Sequence, residues 1–509
     1  MTEFVVAVAG EEHDRLSDHL TRADGQEDVC FALWRPSTGV RRTTAIIGEA
    51  VFPAPDERRV DRTAWFTGDY ALRAAREAAG AGAGVALLHS HPGATSWQAA
   101  PDGSADADSE RKIANLTREI TGHPLVGMTL STGSQTWSAR RWDRGQGTSI
   151  ANSEAASVRV LSNALHVGYH PTLRPPPPAQ GTQLRTLHSW GEQVQAHLAR
   201  LRVLVVGAGS VGQLVLEMLA RTGIEHVGIM DFDTVELVNL DRLHGATTLD
   251  ARLYTSKAEL AQRLTTGAAT AIRFATGVHE ISICEPNGMR AGLDYDVIFS
   301  CVDRPWPRHV LNTLAYSDVV PIIDGGIRLD PMPGAAGLRN AYWRSHTAGP
   351  GRSCIRCLGQ YDVADVQLER DGSLDDPSYI ANLPADSPLR ARQNVYATSM
   401  AAASALTNQF LSLVIAPSGF GDPGPLKFDL RQHRVERVQA NCADGCSYSG
   451  SSGIGDRRRD PTGHHTLAER VIAERKRARG RNRTRLARAI VRASSRLEDF
   501  ATRIADRSD

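Results

Sequence analysis

The chain has 509 residues, of which 41% are hydrophobic and 23% charged, and its formal net charge is +1. This length is sufficient for two or three domains with separate cores, and the composition is ordinary for a globular protein that folds in water. No apolar run approaches the length of a membrane span, and the first residues lack the basic stretch of a secretion signal, so we expect a cytoplasmic protein.

The first part of the chain alternates strands with a few helices, which predicts an α+β domain over residues 1–150. The predicted strands are Phe4–Ala9, Val29–Trp34, Thr43–Ile47, Val85–Leu88 and Leu125–Leu130, and the predicted helices are Ala71–Ala79 and Glu110–Ile120. Residues 151–182 include four consecutive prolines from Pro175 to Pro178. Such a run is stiff and extended, so we expect a linker over 151–182.

The second part, residues 183–450, alternates strands and helices in the manner of a largely parallel sheet, so the fold class is α/β. The predicted strands are Val203–Val206, His226–Met230, Ala271–Ala275, Val297–Cys301 and Val320–Ile323. Residues 451–509 predict a basic helical tail, with about twice as many basic as acidic residues after Arg457. Such a tail suits nucleic acid or an anionic membrane, but a solvated helix face or an acidic protein partner is favoured because aromatic residues are few.

A glycine-rich turn follows the apolar strand that ends at Val206. It contains Gly207, Gly209 and Gly212, which allow a tight turn into a helix whose free N–H groups hold phosphate. Asp231, further along the chain, is placed to accept hydrogen bonds from ribose hydroxyls. A Rossmann oxidoreductase shares these features and is the alternative.

Later residues favour a triphosphate over a nicotinamide. Asn239, Arg242 and Lys257 supply hydrogen-bonding and positive groups, and Asp303 is a hard oxygen ligand suited to Mg²⁺. Together these are the groups needed to adenylate a carboxylate, a reaction that depends on positioning and charge neutralisation.

Four stretches, 207–212, 231–242, 256–259 and 301–304, resemble the ThiF/MoeB family, the adenylating core of ubiquitin-activating enzymes. The resemblance implies ATP and Mg²⁺ as cofactors and a ubiquitin-like protein as substrate. It implies that Asp231 binds ribose, that Asn239, Arg242 and Lys257 contact phosphates, and that Asp303 binds Mg²⁺. It also implies a homodimer, in which Arg185 is the candidate to reach the partner's site.

Two cysteine pairs, Cys354/Cys357 and Cys442/Cys446, have the spacing of chelating pairs. Four thiolates form a closed tetrahedral site, so we expect a structural Zn²⁺, with unligated buried thiols as the alternative. Among the remaining cysteines, neither Cys30 nor Cys301 is a convincing nucleophile for a thioester. The sequence therefore supports adenylation without establishing thioester transfer.

A second metal site is predicted upstream, at His89-Ser-His91-Pro. Two histidines at a strand end with a nearby carboxylate form a three-ligand zinc site that leaves a position open for water. One alternative is that the two histidines only cap a strand. The other is that the domain is catalytically inactive and is used only for binding.

The motif resembles that of JAB/MPN metalloproteases, which remove or trim ubiquitin-like proteins. The resemblance implies a glutamate base, for which Glu27 is the first choice and Glu49 the second. Asp102 has the family's usual distance from His91, whereas Asp106 lies at a helix start; either is the third ligand. The family's serine is replaced here by Ala99 or Gly103, with Ser104 adjacent.

These features predict a fused enzyme in which hydrolysis exposes the C-terminal carboxylate of a ubiquitin-like protein and adenylation consumes it. The product leads either to protein conjugation, possibly through a separate conjugating enzyme, or to sulfur transfer for cofactor biosynthesis. A scaffold with an inactive JAB-like domain is a third hypothesis.

Overall fold

The computed structural model describes residues 2–60, 63–101, 103–144, 150–332, 336–383 and 393–482. Within these ranges the chain forms two large mixed sheets, a two-stranded ribbon and thirteen α-helices. None of the described helices combines the length and apolar character needed to cross a lipid bilayer.

The first sheet has nine strands in the order β11-β10-β1-β3-β2-β6-β7-β8-β9. Its strands are β1 (Glu3–Ala9), β2 (Val29–Thr38), β3 (Arg42–Val51), β6 (Gly84–His91), β7 (Leu125–Ser131), β8 (Thr136–Arg144), β9 (Ile150–Glu154), β10 (Ser157–Leu161) and β11 (Leu165–Tyr169). The ribbon pairs β4 (Arg58–Val60) with β5 (Ala64–Phe66), and the helices are α1 (Gly10–Leu20), α2 (Gly68–Gly80) and α3 (Ala105–Thr121).

Helices cover both faces of this sheet because its strands alternate buried side chains between two cores. Leu16 and Leu20 of α1 pack with Val6 and Leu88 on one face. The opposite face packs against Tyr70 of α2 and against α3. The structure thus shows an α+β unit at the N-terminus, with α1, β8 and the last three strands in addition to the predicted elements.

The predicted linker over 151–182 is wrong for its first half, because β9, β10 and β11 belong to the first sheet. Strand β10 lies parallel to β1, with Val6 opposite Val158. That pairing joins segments about 150 residues apart, so local sequence does not reveal it. The stretch without strands begins after Tyr169.

The second sheet has eight strands in the order β14-β13-β12-β15-β16-β17-β18-β19. They are β12 (Arg202–Val206), β13 (His226–Met230), β14 (Ala275–His279), β15 (Val297–Ser300), β16 (Ile322–Pro331), β17 (Leu338–Ala348), β18 (Leu426–Asp429) and β19 (Arg434–Arg437). The pairings from β14 to β16 are parallel, and those from β16 to β19 are antiparallel. The largely parallel sheet expected from the sequence is therefore found in its first five strands only.

Helices pack on both faces of the second sheet around two separate apolar cores. The helices of this part of the chain are α4 (Leu184–Ala199), α5 (Gly212–Thr222), α6 (Thr248–Arg252), α7 (Lys257–Ala268), α8 (Pro286–Gly292), α9 (Pro305–Ser317), α10 (Val363–Arg370), α11 (Pro377–Asn382), α12 (Tyr396–Ile415) and α13 (466–482), of which α4, α5, α7, α8, α9, α10 and α12 contribute to these cores.

One predicted strand of this sheet is displaced. The apolar run Ala271–Ala275 forms a turn, in which Ile272 is exposed, and strand β14 begins only at Ala275. Its start is set by pairing with β13, where His226 lies opposite Ala275. Tertiary pairing rather than local apolar character therefore decides where this edge strand begins.

Buried and half-buried ion pairs join the two sheets. The Arg42 guanidinium is fully buried and lies 2.7 Å from Asp296 Oδ1, at the loop before β15. Arg174 and Arg202 both pair with Glu3 of β1, at 2.9 and 3.0 Å. Although burial opposes it, Arg42 and Arg174 hold the pKa of Asp296 below its ordinary value. The N-terminal unit is thus anchored to the second sheet by charges that remain ionised.

Candidate functional sites

A cavity of about 400 Å³ lies beyond the carboxyl ends of β12, β13 and β15. This edge is where open α/β sheets bind ligands. The lining includes all the described residues that the sequence assigned to nucleotide binding except Gly212, which starts the adjacent helix α5: Gly207, Gly209, Asp231, Asn239, Arg242, Lys257 and Asp303.

The glycine turn is shaped by close backbone contacts. Gly207 has a φ of +91°, and a Cβ there would lie 2.6 Å from the carbonyl oxygen of Cys301. A Cβ on Gly212 would lie 1.8 Å from the carbonyl oxygen of Gly207. At Gly209, in contrast, nothing lies within 4 Å of an added Cβ, so the turn leaves open space beside the start of α5. That space suits a phosphate group.

Asp231 is held in place by backbone donors. Its Oδ2 accepts from Ala208 N–H and its Oδ1 from Asp233 N–H, both at 2.7 Å. Removal from water and the neighbouring Asp233 raise the pKa of Asp231, while Lys257 opposes the rise. The carboxylate therefore has a fixed orientation at the end of β13, as a ribose ligand requires.

Lys257 is the first residue of α7 and points at the same loop. Its Nζ lies 2.7 Å from Asp233 Oδ2. Burial would lower the pKa of Lys257, but Asp233 and Asp231 raise it above its ordinary value. The start of α7 is fixed by a capping box between Ser256 and Glu259. The result is a charged ammonium at a rigid helix end, suited to phosphate oxygens.

Asn239 and Arg242 belong to the irregular segment between β13 and α6. Asn239 Oδ1 accepts from Glu236 N–H at 3.1 Å, and Arg242 Nη1 donates to the Val238 carbonyl at 2.6 Å. Asp303 follows β15, is exposed, and is near enough to Lys257 to raise its pKa. Arg185, the candidate to reach a partner's site, lies exposed near the start of α4.

Several lining residues were not found from the sequence. Asn394 donates to Ser210 Oγ at 2.7 Å, and Arg308 lies near Asp324, which accepts from Ser300 at 2.6 Å. His465 also lines the cavity. Asn394, Arg308 and His465 come from distant parts of the chain and carried no local signal, and Asp324 enters only as the neighbour of Arg308.

The four paired cysteines converge at one point. Their sulfur atoms all lie within 4.8 Å of one another, and Cys446 Sγ is 3.7 Å from Cys354 Sγ and 3.8 Å from Cys357 Sγ. Although burial opposes it, backbone N–H groups near Ser449 and Tyr448 lower the pKa of Cys446 to about 7. This donor set and spacing fit a tetrahedral Zn²⁺, which stays a prediction.

Neither Cys30 nor Cys301 has the surroundings of a reactive thiol. Cys30 is fully buried in β2, and burial raises its pKa. Burial likewise raises the pKa of Cys301. A nucleophilic cysteine needs a lowered pKa, so these two thiols do not favour thioester formation.

The first sheet carries a second convergence of ligand-type side chains. Asp106 Oδ2, in the first turn of α3, lies 3.3 Å from Nε2 of both His89 and His91 at the end of β6. His91 Nδ1 lies 3.0 Å from Gln98 Oε1, a contact of the kind that orients metal-bound imidazoles. Asp102, the other candidate ligand, lies outside the described residues.

Glu27 is brought near this cluster by the pairing of β2 with β6. Asp28 N–H donates to Ser90 Oγ at 3.0 Å, and Ser90 N–H donates to the Asp28 carbonyl. Asp106 is the main cause of a raised pKa at His91, and Glu27 adds to that rise. Glu49 instead pairs with Arg35 at 2.8 Å.

Ser104 is adjacent to the position of the expected serine but has another role. Its hydroxyl accepts from Ala107 N–H at 3.2 Å and caps the start of α3. The cap helps to place Asp106 in the first turn of that helix.

The second sheet, its glycine turn and the carboxylate after β13 are the features of an α/β protein with a nucleotide site at a strand-helix turn. Residues 181–443, more than half of the chain, match the ThiF family. The chain belongs to the ThiF family. The match begins after the first sheet, so the JAB/MPN resemblance stays a prediction.

The curated relatives of this chain are named as adenylyltransferases and sulfurtransferases. Adenylyltransferase and sulfurtransferase MOCS3 from Culex quinquefasciatus is 31% identical over 171 residues, which is 33% of this chain and 35% of that protein. Probable adenylyltransferase/sulfurtransferase MoeZ from Mycobacterium tuberculosis (strain CDC 1551 / Oshkosh) is 33% identical over 139 residues, 27% of this chain and 34% of that protein. The chain thus spans about a third of the length of these relatives.

Among solved structures, that of E. coli MccB with MccA-N7isoASN is similar with 17% identity and a TM-score of 0.41. The similarity covers 54% of this chain and 77% of that chain.

Proposed function

We propose that the chain uses ATP to adenylate the C-terminal carboxylate of a ubiquitin-like protein. The observation that carries this proposal is the single cavity in which the glycine turn, Asp231, Arg242, Lys257 and Asp303 meet. ThiF family membership and the adenylyltransferase names of the relatives support it.

Each group has a distinct role in this reaction. Asp231 accepts from the ribose, and the open space at Gly209 receives phosphate. Asn239, Arg242 and Lys257 contact the phosphates and offset the charge that grows when the carboxylate attacks the α-phosphorus and pyrophosphate leaves. Asp303 would hold Mg²⁺, which neutralises phosphate charge when bound. These side chains position and neutralise; little covalent chemistry is required of the protein.

The fate of the adenylate is favoured to be sulfur transfer. The curated relatives are named adenylyltransferases and sulfurtransferases. The raised pKa values of the buried Cys30 and the half-buried Cys301 argue against a protein thioester on either. We therefore place activation of a ubiquitin-like sulfur carrier ahead of conjugation. The same proposal includes a homodimer, in which Arg185 of each subunit lies near the nucleotide site of its partner.

Replacing Lys257 by alanine should lower ATP–pyrophosphate exchange by about a hundredfold or more, the usual cost of losing one charge-stabilising donor. Exchange would be measured with ubiquitin-like sulfur carriers that end in an exposed glycine carboxylate. Lys112→Ala, an exposed change in α3, is the matched control and should exchange at the wild-type rate. Equal rates for both variants would remove Lys257 from the mechanism, and no exchange by the wild-type protein with any carrier would contradict the proposal.

A second candidate function, hydrolysis at the C-terminus of the same class of protein, rests on the cluster of His89, His91 and Asp106. The donor set fits a catalytic Zn²⁺ with an open position, which would supply an activated water when bound. Glu27 is the candidate to accept the water's proton. This function is not supported by the comparisons, and it depends on metal binding.

Zinc content tests the second function without a known substrate. We expect elemental analysis to find two zinc ions per chain in the wild-type protein and one in His89→Ala, because a site with two remaining ligands holds zinc weakly. His123→Ala, which changes a histidine outside the cluster, should keep both. A single zinc ion that His89→Ala does not alter would make the first sheet a binding module.

A further inference from the structure

The C-terminal segment 460–482 lies against the candidate nucleotide cavity. His465 and Leu467 contribute to the cavity lining, and α13 continues from there along the loop after β13. The predicted solvated basic tail is therefore wrong for part of this helix, since Arg475 is 3% exposed. A buried guanidinium requires partners, and these define what the helix does.

Arg475 binds the loop that carries Asp231. Its Nη1 donates to the Phe232 carbonyl at 2.7 Å and to the Asp233 carbonyl at 3.3 Å, and its Nη2 lies 2.8 Å from Glu280 Oε2. One side chain thus fixes the backbone next to the ribose carboxylate and joins it to the end of β14.

The same helix also binds the start of α7. Arg479 pairs with both oxygens of Glu259, the residue that completes the capping box before Lys257. Ser256 of that box donates to Glu280 Oε1, and the other carboxylate oxygen of Glu280 accepts from Arg475. The ribose loop and the phosphate-contacting lysine are therefore tied to one another through α13.

His465 lines the cavity and carries a buried polar atom without a partner among the described residues. Its ring lies between Phe232 and Trp306, with centroid distances of 5.2 Å to each. Nδ1 lies 2.7 Å from Ser282 Oγ, whereas the buried Nε2 has no hydrogen-bond partner among the described residues. Burial lowers the pKa of His465 to about 4, so the ring is neutral near pH 7. Because His465 lines the cavity, its unpartnered Nε2 is a group that a bound ligand would satisfy after a small rotation of the ring.

We propose that segment 460–482 is a built-in wall of the nucleotide site, in which Arg475 positions the ribose loop and His465 contacts the nucleotide base. This inference rests on the proposed adenylation function. Arg475 acts through the backbone around Asp233 and is a positioning residue; His465 acts by direct contact. The wall makes nucleotide affinity depend on residues that lie far along the chain from the glycine turn.

Calorimetric titration of the full-length protein with ATP tests the wall and needs no protein substrate. Arg475→Ala should weaken ATP binding about tenfold, which corresponds to about 1.4 kcal/mol. Arg475→Lys keeps the charge but loses the fork-shaped donor set, so its affinity for ATP should lie between those of the wild type and Arg475→Ala. Arg477→Ala removes an exposed arginine from the same helix and should bind ATP as the wild type does.

His465→Leu tests the base contact separately. The change keeps an apolar side chain against Phe232 and Trp306 but removes Nε2, so the ratio of ATP to GTP affinity should fall about tenfold, the effect of one lost specific hydrogen bond. Thermal unfolding of each variant is measured alongside the titrations.

The outcomes distinguish the wall from the adenylation activity. If the wild type binds ATP and Arg475→Ala, Arg475→Lys and Arg477→Ala bind it equally well, the wall is overturned while adenylation stands. An Arg475→Lys protein that unfolds at a lower temperature but binds ATP normally gives α13 a structural role only and also overturns it. If the wild type binds no ATP, adenylation and the wall both fail.

Discussion

Asp303→Asn should reduce ATP–pyrophosphate exchange to near background, by about a thousandfold, because a single preorganised charge contact in such a site is worth about 10²–10³ in rate. Asp303 follows β15, is exposed, lines the candidate nucleotide cavity and is near enough to Lys257 to raise its pKa. The amide has almost the same shape as the carboxylate but lacks its charge, so it binds Mg²⁺ weakly.

Two controls test whether Asp303 acts by holding Mg²⁺. Glu436→Gln removes a carboxylate from the edge strand β19 and should leave exchange unchanged. Raising the Mg²⁺ concentration should partly restore the Asp303→Asn protein if the residue holds the metal. Exchange at wild-type rate in Asp303→Asn would show that the metal is held elsewhere, and Asp324 would then be the next residue to test.

Cys354→Ser should lose one zinc ion per chain and unfold at a much lower temperature. Cys354 is a fully buried member of the four-cysteine cluster, and its Sγ lies 3.7 Å from Cys446 Sγ. Loss of a structural metal belongs to the changes that cost more than about 4 kcal/mol. At about 2 °C per kcal/mol for a domain of this size, the Tm should fall by at least about 8 °C.

Cys284→Ala is the matched control for this prediction. Cys284 is also fully buried in the same domain and in the same apolar core, but it lies outside the cluster. Its removal should cost only the packing of one small side chain and leave the zinc content unchanged. If both variants keep their zinc and lose the same stability, the four cysteines are unligated thiols.

The parts of the nucleotide site that a sequence reveals are those that depend on the backbone close by. Gly207 and Gly212 are recognisable because a side chain at either position would strike a carbonyl of the turn. Asp231 is recognisable because it ends a strand at a set distance from that turn. Such constraints act over a few residues, and they leave a pattern of residue types that can be interpreted without coordinates.

The same limit explains why two other features are not predictable from the sequence. The predicted linker includes strand β10, because the partner of β10 is β1, which lies about 150 residues earlier in the chain. The tail was expected to be solvated because a run of arginines is usually exposed, yet Arg475 finds its acceptors on the loop after β13 and at the end of β14. Neither pairing leaves a local signal.

Short spacings in the sequence are enough to recognise the ThiF-type core, the two cysteine pairs and the His-x-His motif. The three-dimensional fold was needed to show that Asp106 meets both histidines, that Glu27 is near enough to His91 to raise its pKa, and that α13 binds the loop after β13. These contacts join residues far apart in the chain. Their geometry follows from sheet register and helix packing, which depend on the whole fold rather than on any one segment.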